Sequence, residues 1–177
     1  MRRRVDRIAA AAVTVMAVVA GCTTTVDGTA RPVQSPGPDA SRSYGYVDDR
    51  CGLLHDETVA ETVGAEHVVR PYSGAVCQYV LMRDDTAIDA TFAWFETGSL
   101  DRERTLAADR GATITDTDVE RHQAFLARRD ITGAACSATA AAEPGVLSWW
   151  VQFRNRAAGD PCAAAEKLLS ATLQADM

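Results

Sequence analysis

Leu147, Trp149, Val151 and Phe153 alternate with Ser148, Trp150 and Gln152, a period of two that predicts a strand with one buried face. Ile88, Ala90, Phe92 and Trp94 repeat the pattern. A strand over 75–82, with Cys77, Tyr79 and Leu81 on one side, precedes them, and the polar run 83–86 joins the two as a hairpin. Alternation over 112–120 predicts a further strand with Asp116, Asp118 and Glu120 on one face, and 122–129 and 134–141 read as two more. Glu143-Pro144-Gly145 is a turn. Three segments carry helical spacing instead. Asp56 is placed to cap a helix whose Val59 and Val63 share a face and whose stop is Gly64. Ser99 opens a second helix ending at Gly111, with Asp101 and Glu103 at its positive end. Asp160 and Pro161 start a third, striped by Ala165, Leu168, Leu169, Thr172 and Leu173. The order α-β-β-α-β-β-β-β-α puts strands in succession. It predicts an α+β domain, a largely antiparallel sheet with N- and C-terminal helices packed on it.

The first 21 residues follow a different pattern. Arg2, Arg3, Arg4 and Arg7 precede an apolar run, 8–20, broken only by Thr14. Thirteen residues are too few for a membrane span, which needs about 20, and the order of basic, apolar and small residues is that of a secretory signal. The run ends Val19-Ala20-Gly21-Cys22, which matches the bacterial lipobox. By that match Cys22 becomes the first mature residue and carries acyl chains such as palmitate. Residues 1–21 are then a lipoprotein signal peptide, 22–48 a lipidated tether rich in Thr and Pro, and 49–177 a single α+β domain.

Charge and cysteine count narrow the partners. The signal holds four Arg and one Asp, so the rest of the chain has a formal charge of −9, three units below the −6 of the whole. An acidic domain lacks the footprint for nucleic acid, and anionic headgroups repel it, which leaves lipid as the membrane attachment. Removing Cys22 leaves Cys51, Cys77, Cys136 and Cys162. An even count in an exported domain predicts two disulfides. Of three connectivities, the equal spacings favour 51–77 and 136–162, each joining the foot of a helix to a strand. No C-x-x-C is present, which argues against zinc.

Candidate chemistry is sparse. Asp116-x-Asp118-x-Glu120 has calcium-loop spacing, but the position that requires glycine is Arg121; these acids read as a solvated face. His55-Asp56-Glu57 and His122 lack metal-ligand spacing, so no metal or cofactor is expected. G-x-S-x-G, P-loop and G-x-G-x-x-G signatures are missing, and a Cys77–His122 nucleophile pair competes with the disulfides, so no enzyme is expected. Trp150 opposes Trp149 on its strand and Phe95 neighbours Trp94. Each either packs beneath a helix or forms an exposed aromatic contact for a partner.

An ordered set of motifs adds to this reading: Cys51-Gly52-Leu53-Leu54, Thr62-Val63-Gly64-Ala65, Gly74-Ala75-Val76-Cys77-Gln78, Trp94-Phe95-Glu96-Thr97-Gly98-Ser99-Leu100, Glu103-Arg104, Ala135-Cys136, Trp149-Trp150-Val151 and Cys162. With the lipobox, they resemble the mycobacterial LprC/LprB-like lipoproteins, LprC more than LprB, an actinobacterial lipoprotein domain family of unknown function. The resemblance implies a cell-envelope lipoprotein and a sheet of the broad PsbP/Mog1p type; it brings no catalytic residues. The expected function is a binding or interaction module anchored on the outer face of the plasma membrane, its partner an envelope protein or a small amphipathic ligand. The alternatives are a structural or assembly subunit of an envelope complex and, third, a hydrolase or lipid carrier.

Overall fold

The computed structural model describes residues 43–175 apart from Pro144; the signal peptide, Cys22 and most of the tether lie outside the described residues. Nine strands and three helices follow in the order β1 Tyr46–Val47, β2 Arg50–Cys51, α1 Asp56–Val63, β3 His67–Tyr72, β4 Val76–Arg83, β5 Thr86–Phe95, α2 Leu100–Asp109, β6 Thr113–Val119, β7 His122–Arg128, β8 Ala134–Ala141, β9 Val146–Phe153 and α3 Pro161–Gln174. β1 and β2 form a small hairpin; the other seven strands form one sheet, ordered β3-β4-β5-β9-β8-β7-β6. Every pairing in it is antiparallel, so the domain is α+β.

Register sorts the side chains onto two faces. Trp149 lies opposite Phe92 and Ala138, and Phe92 opposite Cys77. These residues form an inner face with Tyr79, Leu81, Ile88 and Val151, all nearly inaccessible. The third helix covers it with the expected stripe, Ala165, Leu168, Leu169, Thr172 and Leu173. Trp149 is the centre: it stacks obliquely on Phe92 and Tyr79, and its indole N–H donates to Thr172 Oγ1 at 2.9 Å. The hydrogen bond satisfies the one polar atom that burying a tryptophan leaves over.

Local signals held at most helix ends. Ser99 accepts from the Arg102 amide, Asp160 from the Cys162 amide with Pro161 in the first turn, and Gly64 closes α1 at φ 71°. Asp56 departs from expectation. His55 is the N-cap of α1, without a side-chain cap bond, and Asp56 is the first helical residue, turned instead toward Arg70. Three strands go beyond the expected order, namely β1, β2 and β3. The tether expected over 22–48 gives way earlier, since Tyr44 is buried and stacks edge-on against Trp94.

Gly145 holds the β8–β9 turn against the end of β5. Its φ is 93°, and a Cβ there would sit 2.1 Å from the Phe95 carbonyl oxygen. Gly145→Ala is expected to cost about 3 kcal/mol or more in chemical denaturation, from left-handed strain plus the clash with a backbone atom. A loss below about 0.5 kcal/mol, the range of ordinary surface substitutions, would refute that account.

Candidate functional site

α2 divides the outer face of the sheet unequally. Arg104 on α2 grips Asp116 on β6 through two hydrogen bonds of 2.9 and 2.8 Å, and α2 packs over β6, β7 and β8. Asp116 lies opposite Phe125, and Phe125 opposite Thr139; Phe125 and Thr139 are buried on this outer face. Among the described residues, no helix takes up an equivalent position over the outer face of β3, β4, β5 and β9. That region carries Trp150, half-buried between Thr91 and Ser137 on the neighbouring strands. Val69, Tyr72 and Phe95 on the same face are 64, 57 and 39% exposed. Of Trp150 and Phe95, neither is packed beneath a helix among the described residues: Trp150 is half-buried and Phe95 exposed. The structure does not bring the two together: Phe95 is opposite Val146, four positions from the Thr91–Trp150 pair, about 13 Å along the strand.

The four cysteines form two disulfides, Cys51–Cys77 and Cys136–Cys162, each spanning 26 residues. The first ties β2 to β4 and the second ties β8 to the start of α3. No thiol among them remains to act as a nucleophile.

Beside the first disulfide lies a charged cluster that sequence reasoning missed. Arg70, on the inner face of β3, is 9% exposed in its side chain. Its guanidinium donates to the Asp49 carbonyl at 3.0 Å, pairs with the Asp49 carboxylate, and lies 2.9 Å from Asp56 Oδ1. Tyr46 donates its hydroxyl to Asp49 at 2.9 Å, and Arg70 stacks over the Tyr46 ring. Hydrogen bonds from Tyr46 and Arg70 lower the Asp49 pKa. Burial raises that of Asp56 in spite of Arg70. Burial, reinforced by the Asp56 charge, pushes Tyr79 up to about 12. With Arg70 committed to two carboxylates, the cluster clamps the β1–β2 hairpin and α1 onto the sheet.

Asp116 and Asp118 share a face of β6, opposite Phe125 and Gln123, as expected; Glu120 departs from it, beyond the end of the strand. Asp116 turns to Arg104, which lowers its pKa. Glu120 sits in the β6–β7 turn at φ 49°, followed by Arg121 at φ 67°. It accepts from Ser170 Oγ at 2.6 Å and Gln174 Nε2 at 2.7 Å on α3, bonds that lower its pKa. Two consecutive left-handed residues are the geometry of a hairpin turn that favours Asn-Gly; here the α3 bonds hold a Glu-Arg pair in it. Among the described residues, no group of three His, Cys, Asp or Glu side chains converges as a metal site. His122 donates from Nδ1 to the Ala141 carbonyl at 2.9 Å, the only sense a carbonyl permits, and lines an open cleft of about 630 Å³ with Tyr44, Leu100 and Arg121. Ser99, which also lines that cleft, is occupied as the cap of α2.

The family profile described as "Protein of unknown function (DUF3558)" matches residues 17–175. The chain belongs to this family. It is 24% identical over 176 residues to "Putative lipoprotein LprB" of Mycobacterium bovis, covering 95% of both chains, and equally so to the protein of that name in Mycobacterium tuberculosis. The Mycobacterium leprae protein of the same name is 22% identical over 159 residues, 87% of this chain and 85% of that one. No solved structure matches the chain significantly, so the α+β class rests on the strand pairing above and the PsbP/Mog1p likeness gains no support. The relatives' names support a lipoprotein. Among the described residues, no helix is long and apolar enough to cross a membrane.

Proposed function

We propose that this lipoprotein is a non-catalytic interaction module, held by acyl chains on Cys22 at the outer face of the plasma membrane, whose folded domain docks an envelope protein. The observation that carries the reading is the outer face of β3, β4, β5 and β9, which no helix among the described residues covers and which bears Trp150. A sheet buried on one side normally shows polar residues on the other, whereas this one presents Val69, Tyr72, Phe95 and Trp150. Aromatic side chains set among Gln78, Asp89, Thr91, Ser148 and Gln152 on that face suit protein contact. Exposed Tyr72 and Phe95 suit a macromolecular partner, and an assembly role is a variant of the same reading.

A photo-crosslinking side chain at position 150 tests it in intact cells. One envelope protein should be captured from position 150 and from position 95, and not from position 109 on the solvent side of α2. Absence of any adduct from 150, or the same adducts from all three positions, would remove the support for this face.

A further inference from the structure

The two edges of the seven-stranded sheet are built differently. β3, at one edge, contains Pro71, and its register with β4 breaks between Val69 and Tyr72. A proline and a bulge are the usual means of blocking an edge against strand addition. β6, at the other edge, contains neither. Its register with β7 is unbroken from Thr113 to Val119, Thr113, Thr115 and Thr117 favour extended backbone, and β7 is its sole strand partner among the described residues.

A groove flanks this edge on each side of the sheet. One, of about 460 Å³, runs between the end of β6 and α3 and is lined by Asp118, Glu120, Glu166 and Lys167 among others. The second, of about 420 Å³, runs between β6 and α2 and is lined by Asp101, Arg104, Asp116 and Asp118 among others. Each groove has three acids to one base. Arg104 is already committed to Asp116, while Asp118 and Glu166 enter none of the ion pairs or side-chain hydrogen bonds found among the described residues.

We propose that the free edge of β6 accepts an extended basic segment of a partner protein as an added strand, its Lys or Arg side chains seated alternately in the α3-side and α2-side grooves. Successive side chains of a strand point to opposite faces, so a strand laid along β6 delivers them to the two grooves in turn. Main-chain hydrogen bonds supply the affinity of such an addition and the flanking grooves its specificity. The acids that attract a basic strand also exclude a second copy of this chain: β6 against β6 would set Asp116 and Asp118 of one chain against those of the other, and like charges across strands repel. The edge lies three strands from Trp150 and stands independently of the docking face there.

The test uses the full chain in detergent and a fluorescent peptide of about seven residues, rich in lysine with threonine and valine between. Two control peptides replace lysine by glutamate or carry N-methyl groups on alternate amides with the charge kept. The lysine peptide should bind and slow amide hydrogen exchange over 113–119. Asp118→Lys combined with Glu166→Lys should weaken it at least about tenfold, as should N-methylation, and the glutamate peptide should not bind. Both substitutions are at the surface, and Trp149 fluorescence checks that the fold is kept. The proposal is overturned if no peptide binds, if the N-methylated peptide binds as well as its parent (charge attraction alone), if protection falls elsewhere, or if 113–119 is protected without peptide as protein concentration rises (a second copy).

Discussion

Cys22→Ala protein is expected to leave the membrane fraction almost completely. The attachment is all-or-none because nothing among the described residues replaces it. Each buried methylene contributes about 0.8 kcal/mol, one acyl chain gives only reversible binding, and two or more give stable anchoring. The domain offers no second hold: the chain after residue 21 carries a formal −9, which an anionic leaflet repels, and among the described residues no helix is long and apolar enough to span. Uncovered aromatics around Trp150 are the strongest competitor, since aromatic side chains settle at membrane interfaces. Fractionation of cells expressing wild type, Cys22→Ala and Cys22→Ala/Trp150→Ser separates the cases. Release of the first variant to the soluble fraction is the expected result, with no further change in the second. Unchanged retention of Cys22→Ala would overturn the lipidation reading, and retention lost only in the double variant would make Trp150 a membrane contact.

Such a result would test the part of the chain most plainly written in its sequence. The legible parts of the domain share a property: their signals are local and repeated. β9 alternates through four consecutive inner positions, Leu147 to Phe153, and α3 carries a cap, a proline and a stripe within 14 residues. β3 has none of this. Its six residues are His67-Val68-Val69-Arg70-Pro71-Tyr72, with a proline at the place where a strand needs a donor, and they hold a strand only because β4 pairs with them on one side. The β1–β2 hairpin is two residues against two, turned by Asp48 and Asp49 at φ 51° and 59°. Neither aspartate signals a tight turn as Asn-Gly would; Arg70 and Tyr46 hold Asp49 there from outside the local sequence.

Sites were less legible than elements for the same reason. Trp150 could be named as an outward aromatic from its parity with Trp149, but parity does not say whether a helix lies above it. That depends on α2, which settles over β6 to β8 through Arg104 and Asp116, a pairing set by tertiary packing. Asp56 looked like a helix cap because it precedes Val59 at cap spacing, yet Arg70, fourteen positions away, competes for its carboxylate and wins. The only signal that could have located the Arg70 cluster was a lone arginine inside an otherwise apolar run, Val68 to Tyr72, where an unpaired charge would be costly. The β6 edge was hidden too, because strand order in a sheet places an edge, and β6 reads like any other alternating segment.

Loss of both disulfides is expected to unfold the domain near physiological temperature. Cys51–Cys77 and Cys136–Cys162 each close a 26-residue separation, which in the chain-entropy account contributes roughly 3.5 kcal/mol per bridge. The two loops do not overlap in sequence, so their effects on the unfolded chain add to roughly 7 kcal/mol, comparable with the whole margin of about 5–15 kcal/mol typical of a domain. The losses differ in kind. Without Cys51–Cys77, β2 is still held by the Arg70 clamp on Asp49 and Asp56, so the hairpin should loosen while the sheet survives. Without Cys136–Cys162, the first turn of α3 loses its tie to β8, and α3 is the cover of Trp149. Cys136 is buried and Cys162 half-exposed, so mild reductant should open this bridge before Cys51–Cys77, whose two cysteines are inaccessible. Peptide mapping without reduction should find 51–77 and 136–162, and denaturant unfolding of each double Cys→Ala variant should show a loss near the single-bridge figure. A 51–136 or 51–162 peptide, or a four-alanine variant that unfolds at the wild-type midpoint, would overturn the assignment.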